Sequence, residues 1–246
     1  MASVISGAMH HDRCADRQDG DRRGDAPFGQ YDAGQMMAST GCLGKPDEYF
    51  EPGWAPGLTP ADRCRLVLNE GRSANGVVSM KLFPLHFDWL RRDVRLSDWF
   101  PDPVWVHLRR RDLLGQAISL AIAMQDRAWN SDNKAVGTAV YSREGIEQAL
   151  QQLVEPRWPV FFARHGIEPL ELIYEDLGDA GDACRMIADR LGLTLTAMPA
   201  PPVLLRRRGA VNEAWRRRFI AEAGDPDDFD GRLPKARRRW RFWRRR

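Results

Sequence analysis

The sequence predicts an α/β fold in which a parallel sheet is covered by helices on both faces. Three apolar runs rich in β-branched and aromatic residues are typical of buried strands, at 76–83, 103–108 and 169–177. Helical patterns lie between them, and the clearest covers 110–125, where apolar residues recur at steps of three and four. Because strands and helices alternate along the chain, we expect the strands to run parallel.

The remaining helices are predicted from their boundary residues. Thr59 and Pro60 form a capping residue followed by a proline at the first helical position, and Gly192 is a typical helix stop. The helices predicted around these signals are 59–69, 84–92, about 143–165 and 179–191.

Composition predicts one large folded domain with two atypical ends. The 246 residues are 43% hydrophobic and 29% charged, which is typical of a globular protein. Residues 1–34 include a stretch, 12–26, made almost entirely of Asp, Arg, Gly, Ala and Gln, which favours disorder or a displaced reading frame. The folded domain is predicted over 35–222. A disordered basic and aromatic tail is predicted over 223–246, and it carries the positive charge that makes the whole chain net +3.

Several function classes are disfavoured by what the sequence lacks. The four cysteines are far apart, with no CxxC pair and no histidine at zinc-finger spacing, so a structural metal is not expected. The N-terminus lacks the basic and apolar regions of a signal peptide, and no 18 consecutive residues are apolar, so the expected location is cytoplasmic. A nucleotide kinase is disfavoured because no G-x-x-x-x-G-K-[ST] pattern occurs.

The most specific candidate site follows the strand predicted at 103–108. In sheets of this kind, ligands bind beyond the carboxyl ends of the strands. Arg109, Arg110 and Arg111 come directly after this strand, and Ser119 follows two turns into the next helix. Guanidinium groups at a helix entry suit phosphate binding. A solvated surface with local ion pairs is the alternative interpretation of the same run. Lys81, at the end of another predicted strand, is either at the ligand edge or a surface lysine.

Three stretches together resemble the bacterial trehalose 2-sulfotransferase family. They are TGCLGKPDEYF at 40–50, LRRRDLLGQAISLAIAMQDRAW at 108–129 and LIYEDL at 172–177, and the similarity runs in order from about residue 36 to 222. The resemblance implies a P-loop-like α/β fold that transfers a sulfuryl group from 3′-phosphoadenosine 5′-phosphosulfate (PAPS), without a metal. The acceptor it implies is a hydroxyl of a carbohydrate or glycolipid, and related enzymes suggest a homodimer.

The resemblance also assigns roles to individual residues. Arg110 and Ser119 match the family's 3′-phosphate site, and Glu48 matches its general base on the acceptor hydroxyl. Arg206 and Asn212 match a late loop that closes over the nucleotide. Without the resemblance, Glu48 would be interpreted as an acidic residue at a helix start. Its flanking residues Tyr49 and Phe50 lead us to expect partial desolvation and a raised pKa.

One motif of the family is missing from its expected place. The family's first strand ends in an Arg-Ser-Gly-Ser-Thr loop that cradles the phosphosulfate, and Pro-Phe-Gly-Gln-Tyr stands there at 27–31. Codons permitted for Pro27–Gly34, read one base later, decode as Arg-Ser-Gly-Ser-Thr-Met-Leu. We therefore hypothesise a shifted reading frame before Met36, which degrades the first strand and loop and impairs activity.

Two alternative functions remain open at this point. A catalytically inactive relic could retain the 3′-phosphate site and bind nucleotide without turnover. The tail KARRRWRFWRRR at 235–246 interleaves aromatic residues with arginine and could bind an anionic surface such as nucleic acid or membrane.

Overall fold

The structure, a computed structural model of the chain, describes residues 2–6, 33–51, 53, 55–126, 138–154, 157–176, 180–195, 197–199 and 209–226. The chain divides into two compact units, each built from two stretches of sequence. The first unit is Met1–Arg111 with Glu155–Leu205, and the second is Asp112–Val154 with Arg206–Arg246. The sequence predicts one domain over 35–222, and it gave no sign of this division.

The first unit contains a four-stranded sheet in the order β2-β1-β3-β4. The strands are β1 Ala2–Ser6, β2 Val78–Leu82, β3 Val104–Arg109 and β4 Leu170–Ile173. Strand β1 pairs antiparallel with both β2 and β3, whereas β3 and β4 pair parallel. Strands β2, β3 and β4 therefore run in one direction, as the alternation of elements predicts. The expectation of a wholly parallel sheet is wrong at β1.

Strand β1 lies inside the N-terminal segment for which no ordered element is predicted. Residues 2–6 read Ala-Ser-Val-Ile-Ser, and two adjacent β-branched residues favour an extended backbone. Five residues are too few for a periodic pattern to be recognised, so this strand was missed. Residues 7–32, which include the expected place of the phosphosulfate loop, lie outside the described residues.

The predicted helices are found in the described residues, with one of them divided in two, and α1, α4 and α9 are additional helices that were not predicted. The helices are α1 Ala33–Ser39, α2 Pro60–Glu70, α3 Pro84–Asp93, α4 Leu96–Trp99, α5 Leu113–Asp126, α6 Arg143–Leu153, α7 Arg157–His165, α8 Ala180–Arg190 and α9 Gly209–Ala223, and a 3-10 turn covers Tyr174–Asp176. The helix predicted at 143–165 is two helices. Pro156 stands between them in the sequence, and a proline lacks the N–H that a continuous helix requires.

Helices of the first unit cover both faces of its sheet, as predicted. On one face, Met80 and Leu82 of β2 and Trp105 of β3 pack in a core with residues of α2, α3 and α7. On the other face, Val106 and Leu172 pack against residues of α1 and α8. Full burial of one such side chain is worth about 1.5–3 kcal/mol. The sheet therefore forms the centre of this unit, with a core on each side.

The second unit consists of helices α5, α6 and α9 in its described part. Ile118 and Ile122 of α5 pack with Ile146 of α6 and with Trp215 and Phe219 of α9. The family resemblance places Asn212 in a late loop, and the structure corrects this, because Asn212 lies in α9, which begins at Gly209. Among the described helices, none combines the length and apolar character needed to cross a membrane.

Candidate active site

Glu48 lies in a segment of irregular backbone between α1 and α2. Within this segment, Tyr49 and Phe50 form a turn and are both buried, and Glu48 itself is half-buried. The turn is closed by a bond from the Glu51 N–H to the Glu48 carbonyl at 2.8 Å. No helix begins between Lys45 and Leu58 in the described residues, so the alternative interpretation of Glu48 as a helix-start acid is wrong.

The acidic residues on either side of Glu48 each have a basic partner. The Lys81 ammonium lies 3.9 Å from Asp47 Oδ1, and His86 Nε2 lies 2.9 Å from Glu51 Oε2. Both basic side chains are almost fully buried. In the part of the chain that the structure describes, Glu48 has no such cationic partner. Burial lowers the pKa of His86, so at neutral pH its contact with Glu51 is a hydrogen bond rather than a charge pair. The carboxylate that the family resemblance selects is thus the one of these three acids without a basic side chain beside it in the described residues.

This environment raises the pKa of Glu48 above its ordinary value. Burial is the main cause, because it disfavours the charged carboxylate, and the neighbouring charges of Asp47 and Glu51 add to it. The expected direction of the shift is therefore confirmed. A carboxylate with a raised pKa is a better proton acceptor at neutral pH, which is what a general base requires.

Lys81 is buried, with 4% of its surface exposed, so it is not a surface lysine. Burial lowers the pKa of its ammonium to about 8. Its backbone N–H also donates to the Asp47 carbonyl at 2.9 Å, so β2 and the Glu48 segment are joined through both backbone and side chain.

Two of the three arginines at the carboxyl end of β3 form ion pairs with carboxylates of β4 and of the turn that follows it. Arg109 lies 3.6 Å from Glu171 of β4, and Arg111 forms an ion pair with Asp176. The Arg111 N–H also donates to Glu175 at 3.0 Å. Their side chains remain 64% and 59% exposed, respectively, so these are surface ion pairs. Arg109 and Arg111 are thus exposed, as the interpretation as solvated surface residues expects, and each has a carboxylate partner.

Arg110 is held differently from its neighbours. Its guanidinium lies over the ring of Tyr174, 3.9 Å from the ring centroid. Within the described ranges it has no carboxylate partner. Stacking orients the plane of the guanidinium but leaves its N–H donors for another acceptor. Two of the three stretches that carry the family resemblance therefore meet at Arg110 and Tyr174.

The N-terminus of α5 is already occupied by a carboxylate of the chain. Asp112 Oδ1 accepts a hydrogen bond from the Gly115 N–H at 2.8 Å, and Arg216 of α9 pairs with the same carboxylate. A Cβ at position 115 would contact the Asp112 carboxylate, so glycine leaves room for this arrangement of the two side chains. Asp112 thus accepts from one N–H of this helix end, and the expected contribution of the helix N-terminus to phosphate binding stays a prediction.

Ser119 and Asn212 lie together within the second unit. Asn212 Nδ2 donates to Ser119 Oγ at 2.9 Å, and the hydroxyl of Ser119 thus retains its own proton for another acceptor. Asn212 stands in the first turn of α9 rather than in a loop. The family resemblance selected both residues from stretches 93 positions apart in sequence. Arg206, the fourth residue assigned to nucleotide binding, lies outside the described residues.

Sequence reasoning missed three residues of these clusters. Arg63 and His107 are buried polar residues inside predicted elements, and Tyr174 is the aromatic residue of LIYEDL. His107 Nδ1 lies 2.8 Å from Glu171 Oε1, and burial lowers the pKa of His107. A charged residue within an apolar helical pattern is the signal that could have identified Arg63.

The comparisons with known proteins define the class of the chain. The model of the Stf0 sulphotransferase family matches residues 66–222, and the chain belongs to this family. A trehalose 2-sulfotransferase of Mycobacterium tuberculosis strain Erdman is 29% identical over 223 residues, covering 77% of this chain and 83% of that protein. A trehalose 2-sulfotransferase of Mycolicibacterium smegmatis is also 29% identical, over 197 residues, covering 68% of this chain and 70% of that protein.

These comparisons confirm the family predicted from three short stretches. The expected homodimer, cytoplasmic location and absence of a metal requirement stay predictions. Most of the basic tail, including 235–246, lies outside the described residues, so anionic-surface binding by the tail also stays a prediction.

Proposed function

We propose that the chain transfers a sulfuryl group from PAPS to a hydroxyl of a carbohydrate or glycolipid. Membership of a sulphotransferase family supports the reaction class. The names of the two relatives support a carbohydrate acceptor. Which sugar carries the hydroxyl is left open, because acceptor specificity depends on loops that vary within one fold.

The observation that carries the proposal is the state of Arg110. Of three consecutive arginines at the carboxyl end of β3, it is the one whose guanidinium is stacked on an aromatic ring and not paired with a carboxylate in the described residues. A preoriented guanidinium with unused donors is suited to a phosphate, which it binds by charge-assisted bidentate bonds. We assign Arg110 to the 3′-phosphate of the nucleotide.

Glu48 is assigned as the general base. It would accept the proton of the acceptor hydroxyl as that oxygen forms a bond to sulfur. The bond from sulfur to the nucleotide's phosphate oxygen breaks, and adenosine 3′,5′-bisphosphate leaves with the electron pair of that bond. The raised pKa of Glu48 matches the need for a base that is effective near neutral pH.

Ser119, Asn212 and Arg206 are proposed to bind the nucleotide. The Ser119 hydroxyl accepts from Asn212, so its proton is available for a phosphate oxygen. The assignment of Ser119 to the same phosphate as Arg110 rests on the family pattern and remains a prediction. We propose no metal requirement, because guanidinium and hydroxyl donors supply the charge and hydrogen bonds that phosphate binding needs.

We further propose that the P-loop-like sheet has lost its first parallel strand and that activity is thereby impaired. Support comes from β1, which runs antiparallel between β2 and β3 although the other three strands share one direction. A segment from within the hypothesised shifted frame thus lies in a central position of the sheet, in the opposite direction. Loss of one transition-state donor commonly costs roughly 2.7–4 kcal/mol in barrier, and loss of a loop should cost more.

A catalytically inactive nucleotide-binding relic is the second candidate function, and the same antiparallel β1 favours it. Two measurements separate the candidates: thermal shift with adenosine 3′,5′-bisphosphate, and transfer of ³⁵S-labelled sulfate from PAPS to carbohydrate acceptors. Slow transfer together with nucleotide binding supports an impaired enzyme, whereas binding with no transfer supports the relic. Stabilisation by neither nucleotide nor PAPS would contradict both.

Repair of the N-terminus tests the impairment. Replacing Asp21–Gly34 by the sequence that the shifted frame encodes should raise the sulfation rate by about 100-fold or more, since it restores the loop donors. A shuffled sequence of the same composition is the control. An unchanged rate in the repaired chain would contradict the proposed impairment, and nucleotide sequencing of the gene tests the frame shift itself.

A further inference from the structure

One buried side chain, Arg63 of α2, donates hydrogen bonds to the backbone of the segment that carries Glu48. Arg63 is 2% exposed. Its Nη1 donates to the carbonyls of Tyr49 and Glu51, each at 2.8 Å, and its Nη2 donates to the carbonyl of Ala55 at 2.7 Å. One guanidinium therefore joins three points of the backbone between residues 49 and 55. We call residues 47–55 the Glu48 loop.

These contacts account for the presence of a buried arginine. Burial of an unpaired charge is costly, and carbonyl oxygens that face the guanidinium offset that cost. The planar fork of arginine can reach several acceptors in fixed directions, which a lysine ammonium cannot do from one position. Arg63 also lies over the ring of Trp89 of α3, 5.7 Å from its centroid, so it is held on a second side.

The contact with the Tyr49 carbonyl bears directly on Glu48. Tyr49 is the next residue in the chain, so the backbone on the carboxyl side of Glu48 is fixed to α2 at 2.8 Å. The bond from the Glu51 N–H to the Glu48 carbonyl closes the same turn. With these restraints, Glu48 has little freedom to move towards solvent.

We propose that Arg63 is a positioning residue: by binding the backbone of Tyr49, Glu51 and Ala55, it holds Glu48 in its half-buried place. The relevance to catalysis rests on the proposed function, in which Glu48 is the base. Arg63 itself touches no reacting atom in this assignment. Other charged or titratable groups of the loop and of the elements packed against it are Asp47, Tyr49, Glu51, Glu70, Lys81 and His86. Of these, the charges of Asp47 and Glu51 raise the pKa of Glu48.

The test is the pKa of Glu48, measured by NMR titration of its side-chain carboxyl and assigned with Glu48→Gln. In Arg63→Lys, which keeps the charge but not the three contacts, the pKa of Glu48 should fall towards its ordinary value, because the loop loosens and the carboxylate gains water. In Arg63→Met, the loss of a positive charge would by itself raise the pKa of Glu48. A fall of that pKa in this variant as well would therefore show that Arg63 acts by holding the loop in place. Arg65→Met, an exposed residue of the same helix, should change nothing.

A purely structural role for Arg63 would lower thermal stability and leave the pKa of Glu48 unchanged in the folded protein, and that result would overturn the proposal. If both Arg63 variants fail to fold, hydrogen exchange of the backbone amides in the unmodified protein tests the proposal instead. The Glu51 amide should then exchange as slowly as the amides of α2. Free exchange of Glu51 beside a protected α2 would overturn the proposal.

The proposed function fails in a distinguishable way. If the pKa of Glu48 depends on Arg63 but Glu48→Gln sulfates carbohydrate as fast as the unmodified chain, positioning stands and the assignment of Glu48 as base falls.

Discussion

Two clusters of the first unit, the acids at 47–51 and the arginines at 109–111, share one arrangement. In each, the outer charged residues have a partner: Asp47, Arg109 and Arg111 are in ion pairs, and Glu51 is hydrogen-bonded to His86. The middle residue, Glu48 or Arg110, has no ion-pair partner in the described residues. A charged group left unpaired between paired neighbours is available to a ligand or a proton.

The two clusters differ in how exposed to solvent their pairs are. Lys81 and His86, which pair with the acids, are buried, whereas the ion pairs of Arg109 and Arg111 are exposed. Exposed pairs are worth about 0–1 kcal/mol and are screened by salt. Burial therefore tunes the proton affinity of Glu48, while the arginine run contributes orientation through the contact of Arg110 with Tyr174. One cluster is built for proton transfer, and the other for binding a fixed anion.

The largest effect is expected from Glu48→Gln. In a chain whose N-terminal loop has been repaired, the variant should sulfate acceptor about 10²- to 10⁴-fold more slowly, since the general base is lost. With Glu48 intact, the rate should rise with pH through a pKa above the ordinary 4.5. Glu168→Gln, at an exposed position before β4 and away from the Glu48 loop, is the control. A rate equal to that of the control would remove Glu48 from the mechanism.

A second expected effect of the same substitution concerns stability and does not depend on turnover. A carboxyl whose pKa is raised in the folded state contributes stability below the unfolded pKa, and this contribution is lost as pH rises through the folded pKa. Glutamine does not titrate. The thermal stability of Glu48→Gln relative to the unmodified chain should therefore increase as pH rises above about 4.5 and then level off. A difference that is flat from pH 4 to 8 would show that Glu48 is solvated.

The smallest effects are expected from the outer arginines. Arg109→Gln and Arg111→Gln each remove an exposed ion pair and should lower the free energy of unfolding by about 1 kcal/mol or less, with the loss fading at high salt. Urea titration at low and high ionic strength measures this. A loss of several kcal/mol that persists in high salt would mean that these pairs are structural.

The sequence predicted the parts of the fold that depend on local pattern. Strands β2, β3 and β4 and helix α5 were found close to their predicted places, because apolar period and boundary residues specify them directly. Strand β1 could not be predicted, since its pairing with β2 and β3 is a long-range contact that five residues do not encode locally. Helix α9 was not predicted because it begins at Gly209, directly after a run of arginines, in a stretch that the family resemblance assigns to a loop.

The residues of the candidate site could be predicted from the sequence, but which of its charged groups are paired could not. Glu48, Arg110, Ser119 and Asn212 came from the family resemblance, and the hydrogen bond between the last two was not foreseen. Which acid and which arginine remain unpaired depends on side chains from distant elements, such as His86 and Asp176. The three backbone contacts of Arg63 likewise could not be predicted, because every residue has a backbone carbonyl and residue type does not reveal where it lies.

The central claim is that Arg110, unlike its neighbours, binds the nucleotide. Calorimetric titration of the unmodified chain with adenosine 3′,5′-bisphosphate, beside Arg110→Lys and the matched control Arg111→Lys, tests it most directly. We expect binding that weakens about 10- to 100-fold in Arg110→Lys, from the loss of charge-assisted hydrogen bonds, and changes less than about threefold in the control. Equal affinities of the two variants, or no binding by the unmodified chain, would contradict the claim.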